Sequence, residues 1–323
     1  MIISRTPLRI SFCGGGSDLP AFYRQHGGAV LNMSIKRYVY LAMHDYFENE
    51  GYILKYSQIE TPKSLNDIQH RILRQVFTDY AIDGVDFNSS ADMPSGTGLG
   101  SSSAFTVGLL NLCNAYQGRF EGRMRLAEKA CEIEIDKLGE PIGKQDQYGC
   151  ALGGMNFLTF KPDESVEREA IPISQAMRDR LESCLTMFYL GGTRSASDLL
   201  QIQGQKLADD PATIVDMKAM VDSAYALRRQ ILHDVDVLGS FLHEGWERKR
   251  RMAGVTNPLI DDAYTRARGA GAVGGKLLGA GGAGFLLTYA LPKKQEAVRE
   301  ALKEFRAYEV RLDTIGTTII YSD

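Results

Sequence analysis

The chain has 323 residues, with 37 Lys and Arg against 40 Asp and Glu, and therefore carries a formal net charge of −3 at pH 7. Hydrophobic residues make up 44% and charged residues 24%, a composition that is ordinary for a folded globular protein and excludes extensive disorder. The near-neutral charge balance also argues against a nucleic-acid partner, because such proteins carry a broad basic surface.

The first half of the chain alternates strand-like runs with helical patterns. Predicted strands rich in Ile, Val, Tyr and Phe cover residues 2–12, 37–46, 53–57 and 154–160. Helices are predicted where apolar residues recur near a period of 3.6, over residues 65–80, 102–116 and 124–138. A polar, proline-containing stretch follows, and we place a domain boundary near residue 175, which gives domains of 1–175 and 176–323.

The second half begins with a predicted strand and a helix after Thr193. That strand covers residues 184–190, and the further predicted elements are the helical region 214–243, the helix 261–270, the strand 285–289, the helix 293–308 and the strand 317–321. Because strands and helices intermix without the regular spacing of βαβ units, the pattern favours an α+β fold over a doubly wound α/β fold.

No apolar stretch reaches the roughly 18 uncharged residues that a membrane-spanning helix needs, so no membrane partner is expected. The N-terminus alternates apolar and polar side chains and lacks the continuous apolar segment of a signal peptide, so we expect a cytoplasmic protein. The five cysteines are scattered and never spaced C-x-x-C, which favours buried free thiols over disulfides or a zinc site.

The most informative segment is Pro94–Ala104 (PSGTGLGSSSA), here called the Gly-Ser loop. Its glycines allow tight turns, and its serines stand at the start of a predicted helix, where unpaired amides carry partial positive charge. The segment therefore predicts a phosphate-binding site, with an ordinary capped turn as the alternative. It lacks the lysine of a Walker A loop, so backbone amides, hydroxyls and a metal would hold the phosphates. The predicted phosphate-binding residues are Gly96, Gly98, Leu99, Gly100, Ser101, Ser102 and Ser103.

Two further segments are rich in glycine. Residues Lys276–Phe285, the C-terminal glycine loop, contain the spacing G-x-G-x-x-G. Because a helix is predicted before this loop and a strand after it, the reverse of a dinucleotide-binding motif, we reject an NAD-dependent oxidoreductase. The other segment is Gly14–Asp18 (GGGSD), here called the acceptor loop, and it follows a predicted strand that contains Arg9.

With these three segments in this order, the chain resembles the GHMP small-molecule kinases, the superfamily of galactokinase, homoserine kinase and mevalonate kinase. The pattern P-x-x-x-G-L-G-S-S-x-A is complete at Pro94–Ala104. The resemblance implies an N-terminal domain like ribosomal protein S5 domain 2, a C-terminal ferredoxin-like domain and an active site between them. It also implies ATP as the phosphoryl donor and Mg²⁺ as a cofactor.

Glu134 falls on the apolar stripe of the helix predicted over residues 124–138. A carboxylate in that position is costly unless it is paired or metal-bound, so the residues alone allow a buried salt bridge to a lysine or a metal ligand. By resemblance, Glu134 and Ser102 match the glutamate and the serine that bind Mg²⁺ in the family, and such hard oxygen ligands suit this ion.

Asp146 lies in the polar segment Gly143–Gln147 (GKQDQ), where the residues alone predict a loop aspartate or a helix cap. By resemblance, it matches the catalytic aspartate of the galactokinase-like pattern G-x-x-D-Q and would act as a general base toward the attacking hydroxyl or orient it. Arg9, otherwise a surface salt-bridge partner, matches an arginine that would stabilise transferred charge and pair with Asp146. Leu8 departs from the glycine that galactokinases have there.

Galactokinases carry G-E-H-T-D where this chain has Gly14, Gly15, Gly16, Ser17 and Asp18. Asp18 is retained and would accept hydrogen bonds from sugar hydroxyls. Replacement of two bulky polar residues by glycine frees volume and exposes amides, which favours a larger or phosphorylated sugar over galactose.

A phosphorylated acceptor also requires cations. Arg194 ranks first, because it follows a predicted strand and a guanidinium matches phosphate geometry; a surface charge is the alternative. The basic run 248–251 otherwise predicts a solvated helix face. The remaining candidates for substrate binding are Lys249, Arg250, Lys276, Gly281 and Gly282.

Within the superfamily, the stretches 6–20, 132–149 and 245–251 resemble the branch that phosphorylates heptose 7-phosphates. We therefore expect an ATP-dependent kinase that phosphorylates the anomeric C1 hydroxyl of D-glycero-D-manno-heptose 7-phosphate. The alternatives are a kinase of another sugar, such as fucose or another hexose, and a catalytically inactive sugar- or ATP-binding regulator on the same fold. The expected partners are a sugar phosphate and ATP, and the oligomeric state stays open, a homodimer included.

Overall fold

A computed structural model describes residues 1–48, 50–192, 200–201, 204–205, 210–251 and 254–323. Arg194 and the helix expected after Thr193 lie outside these ranges. All five cysteines are buried free thiols, as predicted. Within the described ranges, none of the helices combines the length and the apolar character that crossing a bilayer requires.

The first half of the chain forms a mixed sheet around one long strand. Its strands are β1 (Ile2–Cys13), β2 (Gly28–Asp45), β3 (Tyr52–Lys55), β4 (Ile59–Glu60), β5 (Val85–Ala91), β6 (Met155–Phe160) and β7 (Val166–Ala170). Residues 28–33 of β2 pair with β6 and residues 39–45 pair with β5, so two strands lie end to end along one edge of β2. Its other side pairs antiparallel with β1, which brings the residues after Arg9 to the end of the sheet.

The helices of this half are α1 (Pro20–His26), α2 (Arg71–Asp79), α3 (Ser101–Tyr116), α4 (Arg123–Cys131) and α5 (Gln145–Leu152). Helix α3 packs on β1 and β2 and is buried along most of its length. Helix α4 continues into a π-helical turn, Glu132–Lys137. Such turns insert one residue into a helix and are frequent at functional sites.

The elements of the second half are α6 (Gln175–Cys184), β8 (Leu185–Tyr189), α7 (Pro211–Ile231), α8 (Leu238–Lys249), α9 (Pro258–Gly269), β9 (Gly274–Leu277), β10 (Phe285–Tyr289), α10 (Pro292–Ala301), β11 (Arg306–Glu309) and β12 (Thr318–Ser322). Four of these strands form an antiparallel sheet in the order β11-β8-β10-β9. Counted along the chain, this order is 4-1-3-2, which is that of a ferredoxin-like sheet, so the expected α+β fold is confirmed.

The two halves share one hydrophobic core. The ring of Tyr225 on α7 lies 5.0 Å from that of Phe157 on β6, and α8 packs against both β1 and β9. The last strand, β12, pairs with β1 and so returns to the first sheet. The domain boundary near residue 175 stays a prediction. Packing between the two halves fixes the walls of the cleft that lies between them.

Several predicted elements differ from the observed ones: for example, the helical region 214–243 is interrupted between α7 and α8, and the strand 37–46 is only the second part of β2. The helix expected from residue 65 begins at Arg71, because residues 65–67 form a separate 3₁₀ turn. The helix expected over 293–308 ends at Ala301, and residues 306–309 form β11 beside β8. Asp146, predicted as a loop aspartate or a helix cap, lies in the first turn of α5. For residues 306–309, tertiary pairing overrides a weak local pattern.

Candidate active site

A cleft of about 610 Å³ lies between the two halves. Its walls are built by the acceptor loop, the Gly-Ser loop, the π-helical turn, the beginning of α5, the end of α8 and part of the C-terminal glycine loop. The predicted residues that line it are Arg9, Gly15, Gly16, Asp18, Gly96, Gly98, Gly100, Ser101, Ser102, Ser103, Glu134, Asp146 and Lys249. The fold thus collects most of the candidates in one cavity.

The Gly-Ser loop opens α3 toward this cleft. Gly96, Gly98 and Gly100 all have positive φ values, of 72°, 84° and 79°, a conformation that favours glycine. No side chain caps the helix at Gly100, so its first amides are available to a ligand. The hydroxyl of Ser101 is buried and has no hydrogen-bond partner among the described residues. This arrangement fits the phosphates of a nucleotide.

The C-terminal glycine loop supports the Gly-Ser loop by direct backbone contact. A Cβ on Gly98 would lie 2.4 Å from the Leu278 carbonyl oxygen, and a Cβ on Gly279 would lie 2.4 Å from Gly98 Cα. A Cβ on Gly284 would lie 2.5 Å from the Thr97 carbonyl oxygen. Glycine is therefore required on both sides of the contact.

We expect Gly98→Ala to lower the free energy of unfolding by about 2–4 kcal/mol, since it adds a backbone clash to the cost of a positive φ. Gly118→Ala is the matched control, because Gly118 also has a positive φ of 66° but nothing lies within 4 Å of the position that a Cβ would take there. The control should cost only about 1–2 kcal/mol. Thermal unfolding of both variants measures the difference, and equal losses would contradict a role of Gly98 in the loop contact.

Glu134 is 1% exposed and lies at the centre of a hydrogen-bonded cluster. Ser102 Oγ donates to Glu134 Oε1 at 2.7 Å, and Ser103 Oγ donates to Oε2 at 2.9 Å. Gln147 Nε2 also donates to Oε2, at 2.7 Å. No lysine pairs with this carboxylate in the described part of the chain, so the predicted alternative of a buried salt bridge is wrong.

The Ser102–Glu134 pair fits a magnesium ion. Burial raises the pKa of the Glu134 carboxyl, and the three hydrogen bonds only partly oppose this shift. A buried, ionised carboxylate without a neighbouring cation is costly, and a bound cation would offset that cost. Its oxygen and the serine hydroxyl are hard donors, and Mg²⁺ uses few protein ligands together with substrate phosphates.

Arg9 and Asp146 form a bidentate ion pair in the cleft, although 137 residues separate them in the sequence. Arg9 Nε donates to Asp146 Oδ1 at 2.8 Å, and Arg9 Nη2 donates to Oδ2 at 2.7 Å. Arg9 Nη1 donates to the Gly98 carbonyl oxygen at 2.7 Å and so joins this pair to the Gly-Ser loop. Arg9 is 3% exposed and is therefore not a surface residue.

The acceptor loop divides into structural and cleft-lining residues. Gly14 packs against the Ala29 carbonyl, and Ser17 Oγ donates to the Gly14 carbonyl oxygen at 2.7 Å, so neither faces the cleft. Gly15, Gly16 and Asp18 line the cleft. At both residues replaced relative to galactokinases, other side chains occupy the place that a Cβ would take: a Cβ on Gly15 would lie 3.0 Å from Ser11 Oγ, and a Cβ on Gly16 would lie 3.0 Å from Met217 Cε. The volume that these replacements were expected to free is therefore not found at these positions.

Asp18 is 2% exposed and is fixed by the start of α5. Gln145 donates to it twice, from Nε2 to Oδ1 at 2.9 Å and from its backbone N to Oδ2 at 3.1 Å. Burial, and then the charge of Asp146, raise the pKa of the Asp18 carboxyl. A Cβ on Gly143 would lie 2.0 Å from Asp18 Oδ2, so glycine is needed there for this approach. Sequence reasoning missed Gln145 and Gly143.

The candidates for binding the acceptor's phosphate have different positions. Arg250 is ion-paired with Glu247 and Asp261, and Arg194 lies outside the described residues. Gly281 and Gly282 pack against Val255 rather than lining the cleft. The two lysines among the candidates, Lys249 and Lys276, are both buried, but only Lys249 lines the cleft.

The end of the cleft beyond the Gly-Ser loop carries aromatic and amide side chains that sequence reasoning did not single out. The ring of His70 is stacked on Phe105 at 4.9 Å and meets the edge of Tyr56 at 4.7 Å. Gln58 and Gln69 line the same end. Such a surface suits a flat heterocycle with hydrogen-bonding edges. Only the folding of two distant segments reveals it, because no local motif marks these residues.

Family models match both halves of the chain. The model of the GHMP kinases N terminal domain matches residues 67–154, and that of the GHMP kinases C terminal matches residues 223–309. Together they cover more than half of the chain, including the Gly-Ser loop, Glu134 and Asp146 in the first match and Lys249 in the second.

Individual relatives align over nearly the full length. The D-glycero-α-D-manno-heptose 7-phosphate kinase of Campylobacter jejuni is 28% identical over 95% of this chain and 94% of its own. The crystal structure of a D-glycero-D-manno-heptose 1-phosphate kinase from Bacteroides thetaiotaomicron is 26% identical, with a TM-score of 0.82 over 100% of both chains. The galactose complex of Lactococcus lactis galactokinase, at 14% identity, a TM-score of 0.78 and coverage of 98% and 94%, shows the same fold.

Proposed function

This chain belongs to the GHMP kinase family, and from that premise we propose that it transfers the γ-phosphoryl group of ATP to the anomeric hydroxyl of a heptose 7-phosphate. The family membership makes it an ATP-dependent phosphotransferase with an alcohol acceptor. Similarity to heptose kinases over almost the whole chain supports a sugar acceptor. The names of those two relatives differ in the position of the phosphate, so the anomeric assignment is part of the proposal.

The observation that carries the proposal is the bidentate pair of Arg9 and Asp146, open to the same cleft as Ser102 and Glu134. Phosphoryl transfer depends on positioning and on the neutralisation of charge. An inactive regulator would have no need of all four groups in one cavity. Their joint placement therefore supports a working kinase over that alternative.

The reaction forms a bond between the acceptor oxygen and the γ-phosphorus and breaks the bond between that phosphorus and the β,γ-bridging oxygen, which leaves on ADP. Asp146 orients the acceptor hydroxyl through a lone pair not used by Arg9 and accepts its proton as the new bond forms. Arg9, tied to the Gly98 carbonyl, holds this carboxylate at a fixed distance from the phosphates and stabilises the charge that develops on them.

The amides at the beginning of α3 and the Ser101 hydroxyl would bind the phosphates of ATP. Ser102 and Glu134 would hold Mg²⁺, which neutralises phosphate charge when it is bound. Asp18, fixed by Gln145, would accept hydrogen bonds from sugar hydroxyls in the part of the cleft that Gly15 and Gly16 line.

The test is ADP release with Mg·ATP across heptose 7-phosphate, unphosphorylated heptose, mannose 6-phosphate, fucose, galactose and mevalonate, with phosphorus NMR to locate the new phosphate. We expect turnover to be highest with heptose 7-phosphate and the product to carry its new phosphate at C1. Preferred turnover of a free sugar would keep the kinase and overturn the phosphorylated acceptor. ATP binding without turnover of any of these compounds would contradict the proposal as a whole.

A further inference from the structure

Three cations line the cleft in the described part of the chain, and two of them have a carboxylate partner. Arg9 is paired with Asp146, and Arg71 is paired with a glutamate at 2.6 Å. Lys249 differs, because its Nζ donates to the Gly279 carbonyl oxygen at 2.8 Å and no carboxylate of the described ranges lies within salt-bridge distance. An ammonium group has three donors, so two remain for a ligand in the cleft.

Lys249 is not on the solvated face that its basic run predicts. It lies at the end of α8 and is 6% exposed, while the adjacent Arg248 and Arg250 are more exposed. Burial lowers the pKa of the Lys249 ammonium to about 8. A buried cation without a carboxylate is costly, so its retention in a cavity wall points to an anion that binds there.

A second buried lysine lies on β9, the strand against which α8 packs. Lys276 on β9 is also 6% exposed, and its Nζ donates to the Ser11 carbonyl oxygen at 2.9 Å. Burial, and then repulsion by Lys249, lower the pKa of the Lys276 ammonium to about 7. An anion with two charges, such as a phosphate monoester, would offset the repulsion between the two ammonium groups.

Contacts place this lysine pair beside the acceptor loop. Lys249 lines the same cleft as Gly15, Gly16 and Asp18 of that loop. Ser11, which binds Lys276, faces the same loop, since a Cβ on Gly15 would lie 3.0 Å from Ser11 Oγ. An anion here would belong to the molecule that occupies the acceptor loop. The competing ligand is the γ-phosphate of ATP, because the Gly279 carbonyl also adjoins the Gly-Ser loop.

We propose that Lys249, with Lys276 as a second cation, binds the phosphate group of the acceptor and so selects a phosphorylated sugar over a free one. This inference rests on the proposed function and deepens it, because it names the residues that bind the acceptor's phosphate. It assigns that task to the end of α8 instead of Arg194, the first choice from the sequence. The ligand group that these lysines would bind is a phosphate monoester at the end of a flexible sugar chain.

The experiment compares Lys249→Met with the wild type on heptose 7-phosphate and on unphosphorylated heptose. We expect KM for the phosphorylated acceptor to rise about 10- to 100-fold, the range for loss of a charge-assisted hydrogen bond, while KM for ATP stays within about twofold. KM for the free sugar should rise much less, because that acceptor has no phosphate for Lys249 to bind. Lys249→Arg should recover part of the loss, because it keeps the charge. Lys303→Met, at an exposed lysine, is the matched control and should match the wild type in all three values.

Two results would overturn the inference. One is an equal loss with both acceptors, and the other is a rise in KM for ATP, which would place the γ-phosphate at Lys249. If the wild type turns over no sugar phosphate, the proposed function fails, and titration calorimetry with inorganic phosphate then tests the anion site by itself. If the wild type, Lys249→Met and Lys276→Met bound phosphate with equal affinity, the proposed anion site would be wrong. Weaker binding by both variants would support it.

Discussion

Asp146→Asn lowers kcat for phosphoryl transfer by about three orders of magnitude and leaves the affinity for ATP within about twofold, because the side chain faces the acceptor rather than the nucleotide. Asparagine has nearly the same size but cannot take the proton of the acceptor hydroxyl. Its carbonyl can still accept one hydrogen bond from Arg9, which also keeps its bond to the Gly98 carbonyl. Steady-state kinetics and binding of a nonhydrolysable ATP analogue measure the two effects separately.

The control for this variant is Asp136→Asn, the same substitution at an exposed residue of the π-helical turn. It should retain wild-type kcat. A thermal unfolding scan of both variants separates catalysis from stability, since Arg9 is buried and loses one charged partner in Asp146→Asn. If Asp146→Asn kept more than about a tenth of the wild-type kcat while folded, Asp146 would be only a partner of Arg9 and the proposed catalytic role would be wrong.

Elements with a strong local pattern were predicted best. Strand β10 occupies the residues expected for it, and α3 begins one residue before its predicted start. Both are rich in apolar residues and are preceded by a glycine that ends a loop, so the positions at which they begin could be expected from the sequence alone. The α+β fold followed from the order of such elements. These are the features that neighbouring residues determine.

Elements whose conformation depends on distant partners were not predictable in this way. Residues 306–309 continue a helical pattern but pair with β8 instead, because the exposed edge of that sheet provides hydrogen bonds that a short amphipathic helix would not replace. The π-helical turn at Glu132–Lys137 inserts a residue that no period of 3.6 anticipates, although the apolar stripe still predicted that Glu134 is buried. Boundaries and irregular turns thus need the tertiary structure.

The site shows the same division. The prediction that the Gly-Ser loop binds phosphate follows from glycine conformation and helix amides, which are local properties. The pair of Arg9 and Asp146 could be connected only through a family resemblance, since each alone predicts a salt bridge or a cap. Lys249 was one of several cations in the sequence, and only the packing of α8 distinguishes it from its exposed neighbours.

Glu134→Gln lowers kcat/KM by about two to three orders of magnitude, because the amide cannot bind a divalent cation that would neutralise phosphate charge. The fold should tolerate the change, since a glutamine carbonyl can accept from Gln147 and Ser103 while its amide donates to Ser102. Thermal unfolding with and without Mg²⁺ provides a readout independent of activity. Mg²⁺ with a nonhydrolysable ATP analogue should stabilise the wild type more than the variant.

The pH dependence of stability distinguishes this account from a purely structural role of Glu134. Because burial raises the pKa of its carboxyl, the folded protein binds that proton more tightly than the unfolded chain does. The contribution of this group to the free energy of unfolding is therefore largest at low pH and is lost as the pH rises through the raised pKa. At neutral pH the ionised carboxylate, without a cation, lowers the stability of the folded protein.

In the presence of a chelator, Glu134→Gln should unfold at a temperature no lower than that of the wild type at pH 7. As the pH falls, the unfolding temperature of the wild type should rise relative to that of the variant. Glu132→Gln, at an exposed residue of the same turn, should show neither effect. A variant that is much less stable than the wild type at pH 7 would mean that Glu134 holds the turn together rather than serving a metal.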